Sequence, residues 1–222
     1  MGNSNPSIAV VGGTGALGSG LALRWAKAGY AVIIGSRSKE NAQISAATLA
    51  EISGGLVTGD ENSSAAAIAD ITVLTVPFSN HQPMLDVIKD SVQGKILVDV
   101  TVPLVPPKVM RVQLPDAGSA AKAAQEFLGD GVRVVSAFQN IAADLLQNLE
   151  AEIECEVLVC GNDKDARATV VSLAEAAGMT AWHAGAIDNS AAAEALTSLL
   201  IFINKNGPVT HAGIRITGDP KS

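Results

Sequence analysis

Ile8-Ala9-Val10-Val11-Gly12-Gly13-Thr14-Gly15-Ala16-Leu17-Gly18-Ser19-Gly20 passes from a short apolar run into a glycine-rich break, and helix-forming residues come next, from Leu21 to Lys27. Glycines 13, 15 and 18 stand in the order G-x-G-x-x-G. Strand, tight turn and helix in that succession open a dinucleotide-binding βαβ unit. One glycine makes the turn, one lets the backbone approach a pyrophosphate, and one lets helix and strand pack closely. The helix start then offers free N–H groups and a positive dipole end to phosphate. G-x-G-x-x-G by itself is a weak pattern, equally at home in a turn that merely packs. The strand before it and the helix after it favour a nucleotide site, with Gly13, Thr14, Gly15, Ala16, Leu17 and Gly18 closest to the phosphates.

Outward from this stretch, apolar runs at 31–35, 70–77, 95–102, 132–138, 155–160 and 179–183 alternate with helical segments at 39–53, 80–90, 118–128, 163–178 and 188–204. Continuous Val/Ile runs separated by helices imply a largely parallel sheet covered on both faces. The expected fold is therefore α/β, a Rossmann-type doubly wound sheet. Residues Pro103–Ala117, with four prolines, form the longest irregular passage and lead on from the nucleotide-binding half. Trp182 is expected in the core. The helix at 191–203 is apolar nearly all round, which favours full burial in the protein or in a dimer interface.

At 222 residues, 48% hydrophobic and 17% charged, the chain can bury a large core, filled by aliphatic side chains because aromatics make up only 3%. The net charge of −7 and the lack of a basic stripe argue against a nucleic-acid partner. No apolar run is long enough for a membrane span, and no export signal is evident. A cytoplasmic protein with no membrane partner is expected. Cys155 and Cys160 read as one strand with the two thiols on opposite faces, unable to bridge each other.

The second apolar run ends in Ser36-Arg37-Ser38-Lys39, about 20 residues beyond the glycine turn, where the adenine ribose lies. An NAD site would place an acid there. A hydroxyl, a guanidinium and an ammonium suit a 2′-phosphate instead, so Ser36, Arg37 and Lys39 favour NADP(H). Arg37 and Lys39 could alternatively start a solvated helix. In open α/β sheets ligands lie beyond the carboxyl ends of the strands. That rule gathers Thr75, Val76, Pro77 and Phe78; Thr101, Val102 and Pro103; and Phe138, Gln139, Asn140, Ile141 and Ala142. His81 is the best placed of the three histidines. No G-x-S-x-G elbow, Walker lysine or metal-spaced histidine pair is present. Hydride transfer tolerates this scarcity, because the cofactor carries the chemistry and the protein holds donor and acceptor face to face.

Gly12-Gly13-Thr14-Gly15-x-Leu17-Gly18, Gly35-Ser36-Arg37 and Leu74-Thr75-Val76-Pro77 resemble the NADPH:coenzyme F420 oxidoreductases. Val135-Ser136-Ala137, Val159-Cys160-Gly161-Asn162-Asp163, Ala184-Gly185, Asn189-Ser190 and Glu194-x-Leu196-Thr197 come after them in order, so the likeness runs from residue 8 to about 213. The ferric reductase domains of the STEAP type are similar to the same family. The resemblance implies an NADP-binding Rossmann domain over 1–130 and a small C-terminal α/β lobe over 131–222 that completes the acceptor site and the contacts of a homodimer. It also implies an enzyme that passes a hydride directly between NADP(H) and the deazaflavin F420, a small-molecule acceptor. Thr14 and Leu17 would then approach the phosphates, Ser36, Arg37 and Lys39 the 2′-phosphate, and Pro77 and Phe78 the nicotinamide half. Phe138 to Ala142 and the tail near Asn206-Gly207 would border the deazaflavin; Arg133, Lys205 and Arg215 are either available to its anionic part or ordinary surface charges.

Phe78 stands where the family carries Trp, Gln139-Asn140 where it carries His-Thr, and the tail from Lys205 to His211 is more polar. These departures cluster at the acceptor side and leave a flavin open as the acceptor. Phe78, Gln139 and Asn140 are the candidates closest to the chemistry, and no metal is expected. Two other readings stand beside this one. A reductase of a small carbonyl or imine would need a proton donor near the nicotinamide, and the single Tyr30 lies away from the expected site. A non-catalytic NADPH sensor would rest on the altered acceptor corner.

Overall fold

A computed structural model describes residues 5–219. Its elements run β1 (Ile8–Val11), α1 (Ala16–Lys27), β2 (Val32–Ser36), α2 (Lys39–Ser53), β3 (Val57–Glu61), α3 (Asn62–Ile68), β4 (Ile71–Leu74), α4 (His81–Ile88), β5 (Ile96–Asp99), α5 (Ala120–Leu128), β6 (Arg133–Ser136), α6 (Ala143–Gln147), β7 (Val157–Gly161), α7 (Lys164–Ala176), β8 (Ala181–Gly185) and α8 (Ser190–Asn206). The eight strands form one sheet in the order β3-β2-β1-β4-β5-β6-β7-β8. Every neighbouring pair is parallel except β6 and β7. Helices cover both faces, so the inner strands are buried throughout and read as unbroken Val/Ile/Leu runs. The fold is the expected Rossmann-type α/β architecture. The sheet crosses residue 130 without a break, since β6 lies beside β5 from Arg133 onward.

Three elements escape a search for apolar runs. In β3, Val57 is the only buried residue of Val-Thr-Gly-Asp-Glu, because the strand is an edge and has little to bury. Helices α3 and α6 have seven and five residues, too short to show a periodic face.

Other expectations need correcting. Cys155 precedes β7 rather than lying on it, and both thiols are unpaired. Trp182 is 44% exposed, at the edge of the sheet, with its indole N–H donated to Glu156 Oε2 at 2.8 Å. Helix α8 buries Ala193, Glu194, Ser198 and Leu200 but leaves Leu199, Phe202 and Ile203 about half exposed, so the chain itself covers only one side of it. Arg133 sits at the amino end of β6, the end of the parallel sheet away from the nucleotide turn.

With few aromatics available, Trp25 on α1 anchors the larger core. It is fully buried, meets Phe138 edge to face at 5.9 Å, and donates its N–H to Leu173 O at 2.8 Å. Beside it on the same helix, Arg24 is a buried cation with no carboxylate partner among the described residues. Its guanidinium donates to five carbonyls: Leu146 and Leu145 on α6, Asn148 and Ala151 just beyond it, and Ala177 at the end of α7. Helix C-termini carry unsatisfied, partially negative carbonyls, and the guanidinium answers three of these five through Nη2, whose two hydrogens they share, one through Nε and one through Nη1.

Candidate functional site

The strand order reverses at β1. Chain growth runs outward through β2 and β3 on one side and through β4 and β5 on the other. Loops leaving β1 and β4 therefore part at their carboxyl ends and open a crevice, the place where α/β sheets take ligands. A cleft of ≈ 1020 Å³ lies there. Gly12, Thr14 and Gly15 form its floor after β1, Ser36, Arg37 and Ser38 one end after β2, and Thr75, Val76 and Pro77 the other wall after β4.

The floor fits a pyrophosphate. Helix α1 begins at Gly15 with no side-chain cap and no acid in its first turn, so its leading N–H groups face the cleft without a protein competitor. Gly13 is buried beneath the turn, where a Cβ would sit 2.6 Å from Val10 O. A Cβ on Gly18 would meet Thr75 Oγ1 at 2.6 Å, so the absence of a side chain there brings α1 against β4. Ala16 is exposed beside Thr14 and Gly15, and Leu17 packs partly into the core.

Sequence reading missed Asn62. Its Oδ1 accepts the Gly12 N–H at 3.1 Å, tying the start of α3 to the glycine turn, and the residue is 5% exposed while lining the cleft. Asn41, Glu61, Ser63, Asn80, Pro83 and Met84 also line it. The strand and helix that carry Glu61, Asn62 and Ser63 were the ones without an apolar signature, and the polar turn they make looks like a loop.

Not every expected residue faces this space. Lys39 turns to Asp60, with Nζ 3.1 Å from Oδ1. Phe78 stacks on His81, with ring centroids 6.2 Å apart, and His81 points inward with Nε2 2.6 Å from Asp99 Oδ2. Val102 and Pro103 come after β5, outside the cleft wall. Phe138, fully buried, holds a left-handed backbone with φ 72°, a costly conformation for an aromatic residue. The amide nitrogens of the next two side chains are spent on the protein, while Gln139 Oε1 is buried without a hydrogen-bond partner. Gln139 Nε2 donates to Asp99 O and Ser136 Oγ at 2.9 Å each, and Asn140 Nδ2 donates to Glu156 O at 2.8 Å and Cys155 Sγ at 3.1 Å. Ile141 is buried and Ala142 half-buried at the start of α6. A smaller cavity of ≈ 290 Å³ lies outside this corner, between Leu145, Glu152 and Cys155 and the tail residues His211 and Arg215.

Beneath the Phe78 ring lies a buried ionisable group. Asp99 and Glu194 are wholly buried and His81 nearly so. Glu194 reaches from α8 to the start of α5, accepting the Ala120 and Ala121 N–H groups at 2.7 and 3.0 Å. Burial pushes its carboxyl up to about 8, against the pull of those two N–H donors. Burial alone would push the His81 imidazole down. The hydrogen bond and charge of Asp99, with Glu194 behind, outweigh it and raise the pKa.

Both shifts make the folded chain hold protons that the unfolded chain releases, so both make stability fall as pH rises. For Glu194 the loss spans pH 4.5 to about 8, and for His81 it begins near 6.5. Calorimetric melting temperatures are expected to decline across that range, and Glu194→Gln to flatten the decline while costing stability at pH 5. A parallel slope in the variant would show that Glu194 does not carry it.

Among the described residues no helix is long and apolar enough to cross a membrane, and no group of His, Cys, Asp or Glu is placed to hold a metal. The reversal at β1, the glycine-floored cleft and the basic end of β2 define a Rossmann-type dinucleotide-binding protein. Comparison with known proteins narrows the class. A family profile described as NADP oxidoreductase, coenzyme F420-dependent, matches residues 7–103. The F420-dependent NADP reductase of Methanothermobacter thermautotrophicus is 42% identical over 96% of each chain. That of Methanocaldococcus jannaschii is 39% identical over 95% of this chain and 97% of its own. A solved Arthrobacter sp. FB24 structure, described as a candidate F420-dependent NADP-reductase, superposes with a TM-score of 0.79 at 25% identity, covering 96% of this chain and all of its own. The chain belongs to the F420-dependent NADP reductase family.

Proposed function

We propose that this chain is an oxidoreductase that passes a hydride between NADP(H) and coenzyme F420. The observation that carries the reading is the cleft at the β1/β4 switch point, with uncapped α1 at its floor and Arg37 at the end of β2. Residues 1–130 supply the nucleotide site, and 131–222 complete the acceptor side. Once bound, NADP(H) and the deazaflavin would supply the hydride donor and acceptor, with the accompanying proton exchanged with solvent. The protein's own part is positional. The first turn of α1 neutralises the pyrophosphate, and Arg37 and Ser36 hold the 2′-phosphate. Val76 and Pro77 give the nicotinamide an apolar wall, with Phe78 held beside them by the His81–Asp99 pair. Preorganisation of this kind lowers a barrier without an acid or base side chain at the reacting carbon.

The test is NADPH oxidation with F420, FMN, FAD and no acceptor in parallel, repeated with NADH. Turnover with F420 alone is expected, and Arg37→Ala is expected to raise KM for NADPH about 10- to 100-fold through loss of a charge-assisted phosphate contact. Turnover with FMN or FAD but not F420 would reassign the acceptor. An unchanged KM in the variant would move the 2′-phosphate elsewhere.

A homodimer in the cytoplasm belongs to the same reading. The half-exposed Leu199, Phe202 and Ile203 lie on one helix, α8, and a second copy would cover them. Two unpaired thiols suit a reducing compartment. Sedimentation at micromolar concentration is expected to give a dimer, and Phe202→Glu a monomer. A monomeric wild-type chain would overturn the assembly.

A further inference from the structure

We propose that the two carboxylates at the carboxyl end of β3, Glu61 and Asp60, set how far this chain prefers NADP(H) over NAD(H), and hold that preference below what Ser36, Arg37 and Lys39 would give alone. The inference rests on the dinucleotide reading of the cleft and adds the residues that tune it.

Parallel register pairs Ser36 with Glu61 and Gly35 with Asp60. Neighbouring strands lie about 4.8 Å apart, so the residue that ends β2 at the 2′-phosphate position has a glutamate directly beside it. Glu61 lines the same end of the cleft as Ser36, Arg37 and Ser38. Its side chain is exposed and does not cap α3, although it holds the N-cap position. Among the described residues neither Glu61 nor Arg37 has an ion-pair partner. Lys39 is already paired, with Nζ 3.1 and 3.2 Å from the two oxygens of Asp60. Of the two cations that come after β2, one is therefore held by Asp60 and the other shares its wall with an uncompensated carboxylate. The four side chains together carry no net charge.

A carboxylate in this place acts oppositely on the two cofactors. A 2′-phosphate brings up to two negative charges toward Glu61 and is repelled. A ribose 2′-hydroxyl is neutral and can donate a hydrogen bond to the same oxygens, as acids do in NAD sites. Removing the charge of Glu61 should thus help one cofactor and not the other, which a change in packing would not do.

The experiment is a fluorescence titration of NADPH and of NADH into the full chain, its Glu61→Gln variant and its Asp60→Asn variant, at 50 and 500 mM salt. Glu61→Gln is expected to tighten NADPH about five- to tenfold at low salt, the scale of a screened charge interaction at the protein surface, and to leave NADH unchanged or weaker. Asp60→Asn is expected to tighten NADPH by releasing Lys39. The Glu61→Gln gain should shrink at high salt. Equal changes for the two cofactors, or none, would overturn the role of Glu61. Weaker NADPH binding in Asp60→Asn would overturn that of Asp60, showing that it positions Lys39 rather than withholds it. A wild-type chain that binds no NADPH would overturn the cofactor reading itself, an outcome distinct from binding with unaltered selectivity.

Discussion

Replacing Arg24 by leucine is expected to cost about 3–5 kcal/mol of folding stability, from leaving two buried carbonyls without a donor at about 1–3 kcal/mol each. Leucine keeps much of the aliphatic volume, so the loss does not come mainly from a cavity. It comes from five carbonyls, on and beyond α6 and at the end of α7, which lose their donor, those of Leu146 and Ala177 in buried contacts and the other three half-buried. Arg24→Lys should recover only part of the loss. An ammonium has three donors, against five bonds made here, and no fork geometry. Urea denaturation of the three proteins measures the order directly. Leucine within about 1 kcal/mol of wild type would mean that solvent re-satisfies these carbonyls.

Gly13→Ala is expected to be the most damaging single change for cofactor binding. The added methyl would sit 2.6 Å from Val10 O and 3.1 Å from Val10 Cβ, and the first of these is backbone that cannot rotate away. Gly13 N–H also donates to Val10 O at 3.1 Å and Gly35 O at 3.0 Å, so the turn is tied on two sides. The relief available is to lift the turn into the cleft, toward the space a pyrophosphate needs. Weakening of NADPH binding by about 100-fold is expected, with a stability loss of about 1–3 kcal/mol. NADPH titration and thermal melting on the same samples separate the two effects. Unchanged affinity would show that the turn can shift sideways, and the floor of the site would then have to be assigned differently.

The nucleotide half was legible in the sequence because its signals are steric and local. A strand buried on both faces leaves an unbroken Val/Ile run, and a turn that must pass under a phosphate leaves glycines at fixed spacing. Asn62 left no such mark. Its role depends on an edge strand that buries one side chain and on a hydrogen bond to Gly12 across 50 positions. Lys39 shows the converse case. Its charge and position suited a phosphate, but the partner that claims it, Asp60, lies on a strand the apolar pattern did not reveal. Gln139 and Asn140 stand where the family resemblance puts acceptor-side groups, yet their amide nitrogens donate to backbone, a hydroxyl and a thiol within the protein. Charge and type are written in sequence; which neighbour consumes them is decided by packing.

Arg24 and Glu194 both bridge distant parts of the chain, at separations of 121 to 153 and of 73 to 74 residues. During synthesis the guanidinium of α1 leaves the ribosome long before residues 145–151 and 177 exist to receive it. The start of α5 likewise waits for α8, which emerges almost last. A nascent chain halted in α7 therefore still lacks Ala177, the last acceptor of that cation, and carries an open helix end at α5. Such contacts close late: α1 is seated only once the chain has reached residue 177, and the start of α5 only once α8 has been delivered.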